Sequence, residues 1–315
     1  MDPSARLPYK VVAESFGGLV VGVWIQQFFF GIVCYQFWSY YTSQSKRHDT
    51  HFTKTILALL LIGNLFLGVT DFHVLYRSAV VHYGDLDKFD LQTWTMWSEP
   101  GVTALVGCIA QVYFLDRCRR VNMQWRKFSP QVLHCVTAFL FMLILLSTAA
   151  GLAVCISFWS LTRFSGLAQI PIPISLWLVS TTVADVALTG FLLAALIGTK
   201  TAYSWTGNVI SRIIRLSVES SIATSVCALL NLLFYFEMME TSYHLLPQFS
   251  ISRIYTITVL ASLLSREDMK SSLQDPNALY LSAITQSRAE QGLNDSDLSS
   301  NCNNKIDIQR KTQSQ

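Results

Sequence analysis

Charge is what this sequence has least of. Lys, Arg, Asp and Glu make up 14% of its 315 residues, against about 25% in an average soluble domain. The shortage is uneven, with charged residues gathered in short segments between long apolar runs. The runs at 132–158, 174–197 and 213–236 have no polar face to turn to water, which excludes a soluble bundle. The net charge of +3 is too small to suggest nucleic acid as a partner. Disulfide patterning is also missing. None of Cys34, Cys108, Cys118, Cys135, Cys155, Cys227 and Cys302 falls in a segment read as extracellular, so no disulfide framework is expected outside.

Catalytic patterning is absent as well. The cysteines form no C-x-x-C pair, and His48, His51, His73, His82, His134 and His244 form no H-x-x-x-H pair. A seven-helix zinc hydrolase of the ceramidase type needs several histidines facing one cavity. A retinal protein needs a lysine in its last helix, and the last apolar run has none. No phosphate loop, nucleophile elbow or dinucleotide fingerprint occurs. Neither an enzyme activity nor a metal or cofactor is therefore expected.

What is present is apolar length. Hydrophobic residues make up 51% of the chain, and the mean hydropathy is +0.38. A helical span needs about 20 mostly apolar residues. Spans are expected at 16–38, 55–75, 100–115, 132–158, 174–197, 213–236 and 251–264, the third extensible back to Trp94 and the seventh back to Leu245. The first run exceeds the roughly 7–15 apolar residues of a signal peptide and ends in bulky aromatics, so it reads as a span rather than a cleaved leader. The fold class is all-α, a seven-helix transmembrane bundle over 16–264.

Orientation follows from the basic residues. Lys46, Arg47, Lys54, Arg117, Arg119, Arg120, Arg126, Lys127, Lys200, Arg212, Arg266 and Lys270 fall on one side. Arg6, Lys10, Arg77, Lys88, Arg163 and Arg253 fall on the other, with the acidic Asp85, Asp87, Asp90, Glu237 and Glu240. The richer side reads as cytosolic, so residues 1–15 lie outside and 265–315 form a cytosolic tail. That tail is rich in Ser, Asn, Gln and Asp and is expected to be disordered, with a possible surface turn at Leu279, Leu281 and Ile284. A plasma membrane or another secretory-pathway membrane fits this topology.

Polar side chains at membrane depth are costly and are functional candidates. At 1.5 Å per residue, Asn64 lies roughly 14 Å from the inner end of its span, and Gln111 and Asp185 each roughly 17 Å from the outer ends of theirs, near the midplane. Asp185 either lines a cavity, as a ligand contact or proton-linked group, or is protonated or hydrogen-bonded to Asn64, Gln111, Thr181 or Thr182 and holds helices together. Asp71 and His73 mark either the mouth of an outer pocket or the headgroup boundary. Arg215 and Glu219 stand one turn apart near the cytosolic end, as a local ion pair or a latch to a basic loop. Asp116-Arg117-Cys118 stands where rhodopsin-like receptors carry Asp-Arg-Tyr. That likeness stops there, since the last span has no N-P-x-x-Y, the sixth no interior proline, and no cysteine pair serves an outer disulfide.

One resemblance extends further. Ala184-Asp185 leads to Asn208 and to Arg212-Ile213-Ile214-Arg215-Leu216-Ser217-Val218-Glu219-Ser220, then Tyr243-His244, Arg253-Ile254-Tyr255 and Leu263-Leu264-Ser265-Arg266. This series resembles a family of mushroom-type fungal membrane proteins known as domain of unknown function 6534. The likeness covers about 180–266 well. It covers 16–120 more loosely, through Gln111-Val112-Tyr113-Phe114 and Arg117. Ser220-Ser221 stands in place of Thr-Gly, Arg253 of Lys and Leu264 of Asn. The resemblance implies a seven-helix membrane protein and no particular chemistry.

The leading functional expectation is a receptor-like or sensory protein that binds a small amphipathic ligand from outside. A transporter or channel built around Asp185 is the alternative, and a membrane scaffold the third. Expected partners are the lipid bilayer, a small-molecule ligand and a cytosolic protein at the basic loops and tail.

Overall fold

The computed structural model describes residues 9–42, 50–82, 91–125, 129–161, 171–197, 206–237 and 245–274. These hold seven helices: α1 (Tyr9–Thr42), α2 (His51–Tyr76), α3 (Trp94–Trp125), α4 (Pro130–Ser160), α5 (Pro171–Ile197), α6 (Thr206–Glu237) and α7 (Leu245–Gln274). Each expected span lies within one of them. A wider π-helical turn, Arg77–Val81, extends α2.

Local chemistry sets several ends. The Thr50 side chain accepts from the Thr53 amide to cap α2, and Ser129 caps α4 through Val132, with Pro130 in the first turn. Pro100 sits in the second turn of α3, where it removes one backbone donor. Two compact units are present, residues 1–265 and 266–315. Helix α7 runs to Gln274, past the expected tail boundary at 265, because a helix that leaves the apolar region continues without penalty in polar sequence. Residues 275–315, with the Leu279, Leu281 and Ile284 turn, lie outside the described residues, as does Cys302; the other cysteines are free thiols.

Five segments are long and apolar enough to cross a membrane: Gly17–Thr42, His51–Val81, Trp94–Arg120, Pro130–Ser160 and Pro171–Ala194. The protein is membrane-embedded. Its outer surface carries Trp24, Phe28, Tyr35, Trp38, Phe139, Met142, Ile156 and Trp159, all more than half exposed, an apolar coat that water does not tolerate over such an area.

Hydropathy and burial run against each other. Of the five apolar windows, that of α4 is the most apolar and 33% buried, and that of α3 is the least apolar and 67% buried. Helix α7 goes further. Ser250, Ser252, Arg253, Thr256, Thr258 and Ser262 are all buried in it, beside Tyr255, Val259, Leu260 and Leu263. Only a stripe through Ile254, Ile257, Ala261 and Leu264 stays partly or fully exposed, so its polar residues meet protein rather than lipid.

Small residues let the helices approach. A Cβ on Gly63 would stand 2.7 Å from Val106, and one on Gly101 3.0 Å from the Cys155 sulfur. Gly151 leaves room for Ala104 and the Trp177 indole. Helix α3 packs on α2, α4 and α5, and α5 packs on α6.

Candidate functional site

The starts of α1, α3, α5 and α7 and the ends of α2, α4 and α6 meet at one end of the bundle. There they line a partly open cleft of about 80 Å³. Val154 and Phe158 of α4, Ile174, Trp177 and Leu178 of α5, and Tyr235 of α6 form an apolar wall. Asp71, Thr95, Glu99, Asn231 and Gln248 bring polar groups to it.

Both acids are buried. Asp71 accepts a short hydrogen bond from Gln26 of α1. Glu99 accepts from Thr103 at 3.0 Å, one turn along the same helix. Behind them lies Arg253, wholly buried, with its charge acting on both carboxyls. Its Nη1 donates to the Asn64 carbonyl and to Asn64 Oδ1, each at 2.6 Å, and its guanidinium lies 4.8 Å from the Phe30 ring centroid. Across the cleft, Asn231 donates to Gln248 Oε1 at 2.8 Å.

A second, small cavity of about 20 Å³ lies one level deeper and shares Trp177, Leu178, Asn231 and Gln248 with the first. Gln111 and Tyr255 line it. These two hold Asp185: Gln111 Nε2 donates to Oδ1 at 2.9 Å, and the Tyr255 hydroxyl donates a short bond to Oδ2. Asp185 is buried and ties α3, α5 and α7 together. Deeper still, Tyr113, Phe114, Val259, Leu260 and Leu263 belong to a continuous apolar core.

The candidates chosen from sequence fall in different places. Gln111 and Asp185 meet. Asn64 does not join them; its amide donates to Thr256 at 2.7 Å, and it sits with Arg253. Thr181 pairs instead with Ser147 at 2.6 Å, and Thr182 reaches the Ala228 carbonyl at 3.3 Å. Asp71 lines the cleft, but His73 is exposed on the other side of α2, its ring 6.4 Å from that of Trp94. Residues two apart on a helix do not share a face. Glu219 is exposed on α6, and the Arg215 side chain lies outside the described residues.

The sequence reading missed Gln26, Glu99, Trp177, Asn231, Gln248 and Arg253. Arg253, counted from the sequence with the outer basic residues, lies wholly buried inside α7. Glu99 stands one residue before the expected start of the third span at 100, outside the stretch searched for polar residues at membrane depth. The signal available for Gln26 and Asn231 was their place inside otherwise apolar runs.

Residues 181–268 match a family of unknown function, DUF6534. No curated protein and no solved structure matches the chain. The matched segment brings Asp185, Asn231, Gln248, Arg253 and Tyr255 to the site, while Asp71, Glu99, Gln111 and Trp177 come from outside it. Among the described residues, no three His, Cys, Asp or Glu side chains are grouped to hold a metal ion.

Proposed function

We propose that this protein is a seven-span membrane bundle, N-terminus outside and C-terminus cytosolic, that binds a small amphipathic ligand in the cleft between its outer helix ends. On this reading it is a fungal member of the DUF6534 family and acts as a receptor-like or sensory protein rather than as an enzyme. The supporting observation is the cleft itself. An apolar, aromatic wall with a few convergent polar groups is the usual build of a small-molecule site. The continuous core below Asp185 favours binding over passage. Ligand binding there biases the packing of α5, α6 and α7, and the basic cytosolic loops and tail offer a protein partner the surface to read it.

A transporter is the second reading, favoured by the deeper cavity that reaches the ligands of Asp185. Native Cys108 lines that cavity and separates the two. A variant with Cys108 as its sole cysteine, in sealed right-side-out vesicles, is treated with a membrane-impermeant maleimide from each face in turn. The receptor reading expects labelling from the N-terminal face alone. Labelling from both faces establishes the transporter, and labelling from neither removes the cleft as an access route.

A further inference from the structure

We propose that the cleft takes an organic cation, a protonated amine whose charged end is held by Glu99 and whose apolar body lies along Trp177 and Phe158. This deepens the ligand-binding reading above and rests on it.

The charge balance of the buried groups points there. Around the cleft, the described residues place two carboxyls, Asp71 and Glu99, against one guanidinium, Arg253. A buried carboxyl without a cationic partner keeps its proton rather than its charge, so an incoming cation is what would let the second carboxyl ionise. Arg253 donates no hydrogen bond to either acid, and its Nε and Nη2 have no hydrogen-bond partner among the described residues. Its Nη1 is fixed by two bonds of 2.6 Å to Asn64, its face rests on Phe30, and it does not line the cleft. Asp71 has a further partner in Gln26. Glu99 has only neutral partners, the Thr103 hydroxyl and the Gln248 amide, and lines the open space. A cation beside Glu99 completes the balance.

The surroundings suit an ammonium group. Pro100 removes the N–H that would otherwise bond the Met96 carbonyl, and both residues line the cleft. That carbonyl supplies an acceptor close to Glu99 in the chain. Trp177 and Phe158 line the same cleft and offer apolar surface to the body of an aryl or alkyl amine. An anion meets two carboxyls instead. The cationic candidates at the mouth, Arg77 and His82, belong to a neighbouring shallow crevice that shares only Val74 and Met96 with the cleft.

The test uses the full-length protein in lipid nanodiscs and three matched probes: 2-phenylethylamine, 2-phenylethanol and 3-phenylpropanoate. The thermal midpoint is followed against probe concentration, since a ligand that binds the folded state raises it. Only the amine is expected to raise it. Glu99→Gln keeps an acceptor for Thr103 and is expected to fold with a parental midpoint, yet to lose amine affinity roughly tenfold or more, as the loss of a charge-assisted bond implies. If Glu99→Gln itself unfolds, the order of the three probes on the parent protein decides. A response to the alcohol or the acid that equals the amine's, or an unchanged amine response in Glu99→Gln, overturns the cation. If the alcohol binds and Trp177→Ala abolishes it, the cleft remains a ligand site and only the cation fails. If none of the three probes shifts the parent protein, both readings fail together.

Discussion

At the scale of single residues, the most informative side chain is Asp185. It accepts from an amide on α3 and a hydroxyl on α7, so its removal strands two donors that have no water to turn to. Asp185→Asn keeps an acceptor for Gln111 and is expected to match the parent in thermal stability. Asp185→Leu is expected to lose about 1–3 kcal/mol, the usual cost of an unsatisfied buried polar group. Unfolding midpoints of both variants in detergent check this. Equal stability for the Leu variant removes the structural role and makes Asp185 a ligand group. Helix length assigns Asn64, Gln111 and Asp185 a height but not their pairing, because height along a helix does not fix the direction a residue faces.

At the scale of elements, glycine sets the distance between α2 and α3. Val106 is buried and β-branched, so it has no easy rotation away from a methyl at Gly63. Gly63→Ala is expected to destabilise by about 1–3 kcal/mol, the range for overpacking. Adding Val106→Ala restores part of that loss, which a double-mutant cycle in detergent measures. Gly31, with nothing within 4 Å of its added Cβ, is the control; its alanine variant is expected to lose no stability. A penalty of equal size at both glycines shows that backbone flexibility, not contact, is the cause. Helix α7 carries the other lesson at this scale. Its apolar stretch looked short, 251–264, because apolar composition reports contact with lipid, and this helix meets its neighbours instead.

At the scale of the molecule, orientation has a direct test. Asn294-Asp295-Ser296 is the sole N-x-S/T sequon in the sequence. A cytosolic tail never meets the glycosylation machinery, so the protein expressed in a eukaryotic secretory pathway is expected to carry no glycan there. A mobility shift on glycosidase treatment, lost in Asn294→Gln, reverses the topology. The same orientation places the cleft on the outer face.

The sequence by itself determined the helices and their membrane environment. Those properties are local: a run of apolar residues must leave water wherever its neighbours lie. Only the tertiary structure decided the site. Gln26, Asp71, Glu99 and Arg253 come from α1, α2, α3 and α7, and what joins them is the packing of those helices, with Gly63 allowing the close crossing of α2 and α3. A helix presents many faces with similar composition, and which face meets which partner depends on side-chain fit across the whole bundle. Arg253 shows the difference most clearly. In the sequence it is one more basic residue at the edge of a short apolar run; in the fold it is the buried charge behind two carboxyls at the wall of a cleft.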